Sequence, residues 1–218
     1  MIRRPTFFLL CATTFLVPAA ATRAQSLPEG WEWRGQAGSA AGDTAWSFER
    51  MPPGWHLTTG PAVLLYPATA SASGPFTLAA DFVVFPQTSN AGFGLFVGGA
   101  DFQGAAPAYL AALLRRDGTL SVVRRMGDRD TVLLPWTSHP AIPAHPGSGT
   151  VTHRLRLHAA ADSLRVFVND SAVARLAAPA AWTDGSFGFS AGAAVNLHIT
   201  ILDHTRHMAP IRAPEPRK

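Results

Sequence analysis

From residue 46 onward the chain is cut into short apolar runs, each bounded by Gly, Pro, Asn or Asp. This spacing, more than any single motif, limits what the sequence can fold into. The runs fall at 55–58, 63–66, 76–85, 93–97, 108–115, 120–126 and 131–134, then at 151–158, 164–169, 172–176, 186–190 and 195–203. They are too short for helices and have strand length. Several alternate with period two. Val195, Leu197, Ile199 and Ile201 fall on one side and Asn196, His198 and Thr200 on the other. Leu155 and Leu157 alternate with Arg154, Arg156 and His158, and Leu164, Val166 and Val168 with Arg165, Phe167 and Asn169. Such alternation marks antiparallel strands with one face buried and one wet.

The junctions carry turn chemistry. Asp117-Gly118, Gly127-Asp128 and Asn169-Asp170 each separate two runs, and all three pairs suit hairpin loops. Residues 105–116 could form a helix, but Pro107 and the Asp-Gly turn favour a strand. About a dozen strands at this spacing predict an all-β fold, an antiparallel two-sheet β-sandwich of jelly-roll type, over 46–203. Residues 25–45, with Trp31 and Trp33 as large anchors, form an N-terminal arm or first strand. Residues 135–150 hold four prolines and predict a stiff loop. Residues 204–218 hold three prolines and no apolar period, and predict a disordered tail.

The N-terminus has the layout of an export signal. Arg3 and Arg4 precede an apolar run over 7–21, and Ala21-Thr22-Arg23-Ala24 offers a cut before Gln25. The run is shorter than the roughly 20 residues a membrane helix needs. Removing 24 of 218 residues leaves 194, takes away Arg3, Arg4 and Arg23, and lowers the formal charge from +4 to +1. The basic character therefore does not point to nucleic acid. Cys11, the chain's one cysteine, leaves with the signal. The mature domain is expected to be exported, periplasmic or extracellular, without a disulfide, and not inserted in a membrane.

Charged residues make up 15% of the chain, against about 25% in a typical domain. That scarcity bears on chemistry. A retaining glycosidase needs two carboxylates about 5 Å apart. The four glutamates are 29, 32, 49 and 215, none inside a clear apolar run, and Asp128 and Asp130 have strand spacing but sit in a glycine-containing turn. No Gly-x-Ser-x-Gly nucleophile motif is present, and Gly92-x-Gly94-x-x-x-Gly98 misses phosphate-loop spacing. His139, His145, His153 and His158 do not have zinc-ligand spacing, nor do His204 and His207. No catalytic residue, metal or cofactor is expected. Binding fits better. A sugar ring has an apolar face and a hydroxyl rim, which suits aromatic side chains flanked by planar hydrogen-bonding groups. The candidate ligand-binding residues are Tyr109 and Arg115 on one strand, Arg124 on its hairpin partner, and Trp136 at the head of the proline-rich loop.

Five stretches also resemble a known family. They are 52–67 (PPGWHLTTGPAVLLYP), 74–99 (GPFTLAADFVVFPQTSNAGFGLFVGG), 108–128 (AYLAALLRRDGTLSVVRRMGD), 153–176 (HRLRLHAAADSLRVFVNDSAVARL) and 184–203 (DGSFGFSAGAAVNLHITILD). In strand pattern this order resembles the concanavalin A-like (LamG-like) jelly-roll superfamily, most of all its 3-keto-disaccharide hydrolase branch. The resemblance covers about residues 46–203 and implies the sandwich fold and a glycan-related role. The Leu-Phe-Asn-Gly opening of that branch is missing here. Together with the scarce carboxylates, this makes a non-catalytic carbohydrate- or glycan-binding domain the first expectation. A glycoside-acting hydrolase is the alternative, and an envelope interaction module without a small ligand comes third.

Overall fold

The computed structural model describes residues 27–36, 45–145 and 148–207. The expected signal and Cys11 lie outside these residues, as does the tail from 208. The described chain forms two antiparallel sheets. One contains β1 (Trp31–Gly35), β4 (Val63–Pro67), β5 (Ser71–Ala72), β7 (Phe93–Ala100), β8 (Ala108–Leu114), β9 (Thr119–Met126), β10 (Arg129–Ser138) and β14 (Gly185–Ala191). Its order is β1-β4-β14-β7-β8-β9-β10, with β5 beside β14. The other contains β2 (Trp46–Arg50), β3 (Trp55–Thr59), β6 (Phe76–Val84), β11 (Val151–Ala159), β12 (Ser163–Val168), β13 (Ser171–Ala177) and β15 (Asn196–Arg206), ordered β13-β12-β11-β6-β15-β3-β2. This is the jelly-roll-like sandwich that the alternation predicts.

The core lies between the sheets. Phe93, Leu95, Val97, Leu110, Ala112 and Phe189 from the first sheet meet Leu78, Phe82, Leu155, Leu157, Val166 and Leu197 from the second. Burial of apolar surface here is what offsets the ordering cost of so many strands. The hairpin loops follow their residues. Asn169 (φ 48°) and Asp170 (φ 65°) make a two-residue loop with both residues left-handed, as the type I′ turn requires. Asn169 also accepts from the Arg154 N–H at 2.9 Å and donates to the Ala141 carbonyl at 2.9 Å, so its side chain is held.

Three features differ from the expectation. β10 runs through Pro135 and Trp136 to Ser138, so Trp136 sits on a strand and not in the proline-rich loop. β10 is the sheet edge, where proline is tolerated because no ladder bond is lost. β15 extends to Arg206, three residues past the expected boundary at 203. Finally, Ile201 does not share the inward face of Ile199. An extra residue between Ile199 and Leu202 breaks the pairing with β6. A bulge of one residue flips the phase of a strand, so Leu202 packs on the core and Ile201 is 42% exposed.

Candidate functional site

The face of the first sheet that points away from the core is not bare. Leu64, Tyr66, Phe96, Phe102, Tyr109 and Ala111 form a second apolar cluster there. Phe102 belongs to the β7–β8 connection, which folds back over the sheet. Arg34 holds that connection by donating to the carbonyls of Phe102 and Gly104, the latter at 3.0 Å. Asp101, in the left-handed region (φ 54°), accepts from the Ala106 N–H at 2.8 Å and closes the loop on itself.

Side chains from the β1 end reach across this face and leave a hollow in it. Tyr109 on β8 donates its hydroxyl to the Gln36 side-chain oxygen, just past β1, at 3.4 Å. Three strands (β4, β14 and β7) lie between β1 and β8. At about 4.8 Å per strand a flat sheet would hold these strands nearly 20 Å apart. The Gln36 side chain spans part of that gap, since its amide nitrogen reaches β14 at Ser190 and Ala191, and the Tyr109 side chain spans the rest. Gln36 is fixed from behind by bonds from its amide nitrogen to Val63 O (3.0 Å), Ser190 Oγ (3.2 Å) and Ala191 O (3.2 Å).

A cavity of about 210 Å³ opens at this point. Arg34 and Gln36 form one wall, Tyr109 and Arg125 the floor, and Gly127 and Asp128 the far rim. Arg125 is only 9% exposed. Its charge is met by Asp130 at 2.8 Å, and its Nε donates to Gly127 O at 2.9 Å. Arg34 and Arg125 each retain guanidinium N–H groups beyond these bonds. Burial pushes the Tyr109 hydroxyl up to about 12, with the Asp130 charge adding to it against Arg125. Tyr66, deeper in the same face, is likewise raised to about 12 by burial and by its hydrogen bond to Glu32. Both hydroxyls therefore stay protonated at neutral pH and can donate. Arginine N–H groups, one tyrosine hydroxyl and a glutamine amide around the Tyr109 ring suit a neutral polyhydroxylated ring.

Of the four residues the sequence singles out, Tyr109 lies in this cavity. Arg115 and Trp136 pair with each other, the guanidinium 3.7 Å above the indole centroid. They sit roughly 20 Å further along β8 by strand rise, where Trp136 packs beside Gly92 and Leu113. Arg124 lies on the opposite face of the sheet, 4.2 Å over the Trp182 ring. Arg125 takes the place beside the tyrosine, since Tyr109 and Arg125 are direct partners in the β8–β9 ladder. Arg34 and Gln36 are residues that sequence reasoning missed. Their one signal is the polar series Glu32, Arg34, Gln36 alternating with Trp31, Trp33 and Gly35.

No protein-family model and no curated protein matches the sequence. Solved structures do match in shape. A carbohydrate-binding module (CBM66) from Bacillus subtilis superposes with TM-score 0.60 at 13% identity, covering 81% of this chain and 95% of that one. The fold is that of the galectin-like and concanavalin-like β-sandwiches. A Bacillus subtilis protein of unknown function with a galectin-like fold matches at TM-score 0.56 and 12% identity, over 81% and 89% of the two chains. A glycoside hydrolase family 16 endo-glucanase from Bacteroides ovatus matches at 0.57 and 9%, over 82% and 96%. At these identities the likeness concerns architecture.

Proposed function

We propose that the protein is an exported, non-catalytic glycan-binding domain whose ligand sits in the outer face beside Tyr109. The observation that carries this reading is the cavity in which Arg34, Gln36, Tyr109 and Arg125 converge. A cavity of roughly 150 Å³ holds benzene, so about 210 Å³ admits one sugar-sized ring. The carbohydrate-binding module among its structural neighbours supports the same reading. The exported location rests on the signal layout of residues 1–24.

The hydrolase alternative rests on the strand-pattern resemblance and would need acids at this face. Asp130 is engaged by Arg125, and Glu32 lies within 3.4 Å of the Gln103 amide. A hydrolase would draw its acid from Glu32 or Asp128. A glycan array, paired with a hydrolysis screen on 3-keto-glycosides, separates the readings. Binding without turnover, weakened tenfold or more by Gln36→Ala, is expected. Turnover abolished by Glu32→Gln or Asp128→Asn would establish the hydrolase instead, and neither binding nor turnover would defeat both.

A further inference from the structure

A second hollow lies at the edge of the sandwich, built by other residues. It has a volume of about 600 Å³, and its walls include Glu29, Trp31, Arg50, Trp55 and Ile201. Three features of the chain create it. β3 pairs with β15 only as far as Trp55↔Ile199, while β15 runs on to Arg206, so the flank of β15 beyond Ile199 is open on that side. The bulge after Ile199 turns Ile201 outward. Gly54 approaches so closely that a Cβ there would lie 1.9 Å from the Ile199 carbonyl oxygen, which closes one end.

The two tryptophans are held in place from behind. Trp31 stacks on Phe189, centroids 5.4 Å apart and planes 11° off parallel. Trp55 stacks on Phe48 at 6.0 Å and 21°. The indoles meet each other edge-on at 5.1 Å and 63°. Each is thus a fixed aromatic wall, half-buried, with its orientation set before any ligand arrives. Glu29 and Arg50 are exposed at the rim, and neither makes an ion pair or side-chain hydrogen bond among the described residues. Their opposite charges cancel, so the hollow has no net preference for an ion. Apolar walls set at an angle, with a planar carboxylate and a planar guanidinium at the mouth, match a neutral pyranose chain.

We propose that this hollow is a second saccharide-binding site, taking a segment of a neutral polysaccharide. It stands on its own residues and does not require the outer-face reading. β1 serves both sites, since Trp31 and Trp33 point to the inner side while Arg34 reaches the outer face. Two sites on one domain would let it bridge or grip a polymer through effective concentration.

The test is affinity electrophoresis of the full chain in gels containing laminarin, xylan, barley β-glucan or dextran. It is followed by titration of tryptophan emission with laminarihexaose, xylohexaose, cellohexaose or isomaltohexaose, matching the gel that retards. The variants are Glu29→Ala/Arg50→Ala, both exposed and therefore tolerant of change, and Gln36→Ala for the outer face. Expected is retardation of the wild type on at least one polysaccharide, weakened at least fivefold in the Glu29/Arg50 variant. The ligand-induced emission change should vanish in that variant and persist in Gln36→Ala. Equal retardation of wild type and the Glu29/Arg50 variant would overturn the second site while leaving the first standing. Loss confined to the Glu29/Arg50 variant would uphold it and sink the first. No retardation on any of the four would overturn it.

Discussion

His153 should make this fold acid-sensitive by a calculable amount. It lies on β11 facing the core, opposite Phe82, and is 0% exposed. Neither ring nitrogen has a hydrogen-bond partner among the described residues. Burial lowers its pKa from 6.5 to about 4, with nearby His145 acting in the same direction. The folded state thus holds the ring neutral, while the unfolded chain takes up a proton below about 6.5. The unfolded state binds more protons over that window, so stability rises with pH across it and falls on acidification. From 6.5 to about 4, at about 1.4 kcal/mol per pH unit, the loss approaches 3 kcal/mol. His153→Leu removes the titration and two unpartnered polar atoms. It should be more stable than the wild type at pH 7.5 by about 1–3 kcal/mol, the cost of an unsatisfied buried group. The gap should widen by about another 3 kcal/mol at pH 4. Urea unfolding followed by tryptophan emission at half-unit pH steps measures both quantities. His56, His158 and His204, also lowered chiefly by burial, contribute the same background to both proteins and cancel. Parallel pH profiles for the two proteins would refute the linkage.

Other predictions follow from single contacts. Arg34→Met removes the clamp on residues 101–107; a bond to a charged donor is worth about 1.5–3 kcal/mol, so amide exchange in that loop should accelerate tenfold or more, and unchanged exchange would mean the clamp is idle. Arg124→Ala, which loses the stack on Trp182, should cost about 0.5–1 kcal/mol in unfolding and leave glycan retention unaltered. Ile199→Ala should cost about 2–5 kcal/mol and Ile201→Ala less than about 0.5; equal costs would disprove the bulge between them. Gly92→Ala places a Cβ 2.9 Å from the Trp136 ring and 3.2 Å from Leu113, and should cost about 1–3 kcal/mol by overpacking, with a shift in tryptophan emission.

Strands with one buried and one wet face were legible in the sequence, because burial writes period two directly into it. β11, β12 and β6 are of this kind. β10 was not legible beyond residue 134, since an edge strand that is mostly exposed carries little apolar alternation. β1 is half-buried at every position and so shows little contrast between its faces. The bulge in β15 left no mark either, because Ile201 continues the alternation that the backbone breaks.

The site residues failed for a different reason, which is register. Tyr109 shares a face with Ala111 and Leu113, and that part follows from β8 alone. Which face of β9 lies beside it depends on the length of the hairpin loop. A two-residue Asp117-Gly118 loop would pair 116 with 119, and would set Arg124 opposite Ala111, on the tyrosine's face. The loop instead has three residues. The Arg115 N–H donates to Thr119 O at 3.0 Å, and Gly118 takes φ 82°, the form in which a turn is followed by a left-handed glycine. That one residue slides β9 by one position and exchanges its faces. Leu114 then pairs with Leu120, Tyr109 with Arg125, and Arg124 turns toward Trp182. The same argument explains Arg34 and Gln36. They come near Tyr109 through the strand order, with Gln36 lying across β4 to β14, and no local pattern encodes that order. The cavity is therefore set by one turn and one strand order, and Gly118 controls the first of these. Replacing it with a residue that resists positive φ should disturb the pairing of Tyr109 with Arg125, about 20 Å of strand from the turn by rise, and the stack of Arg124 on Trp182 with it.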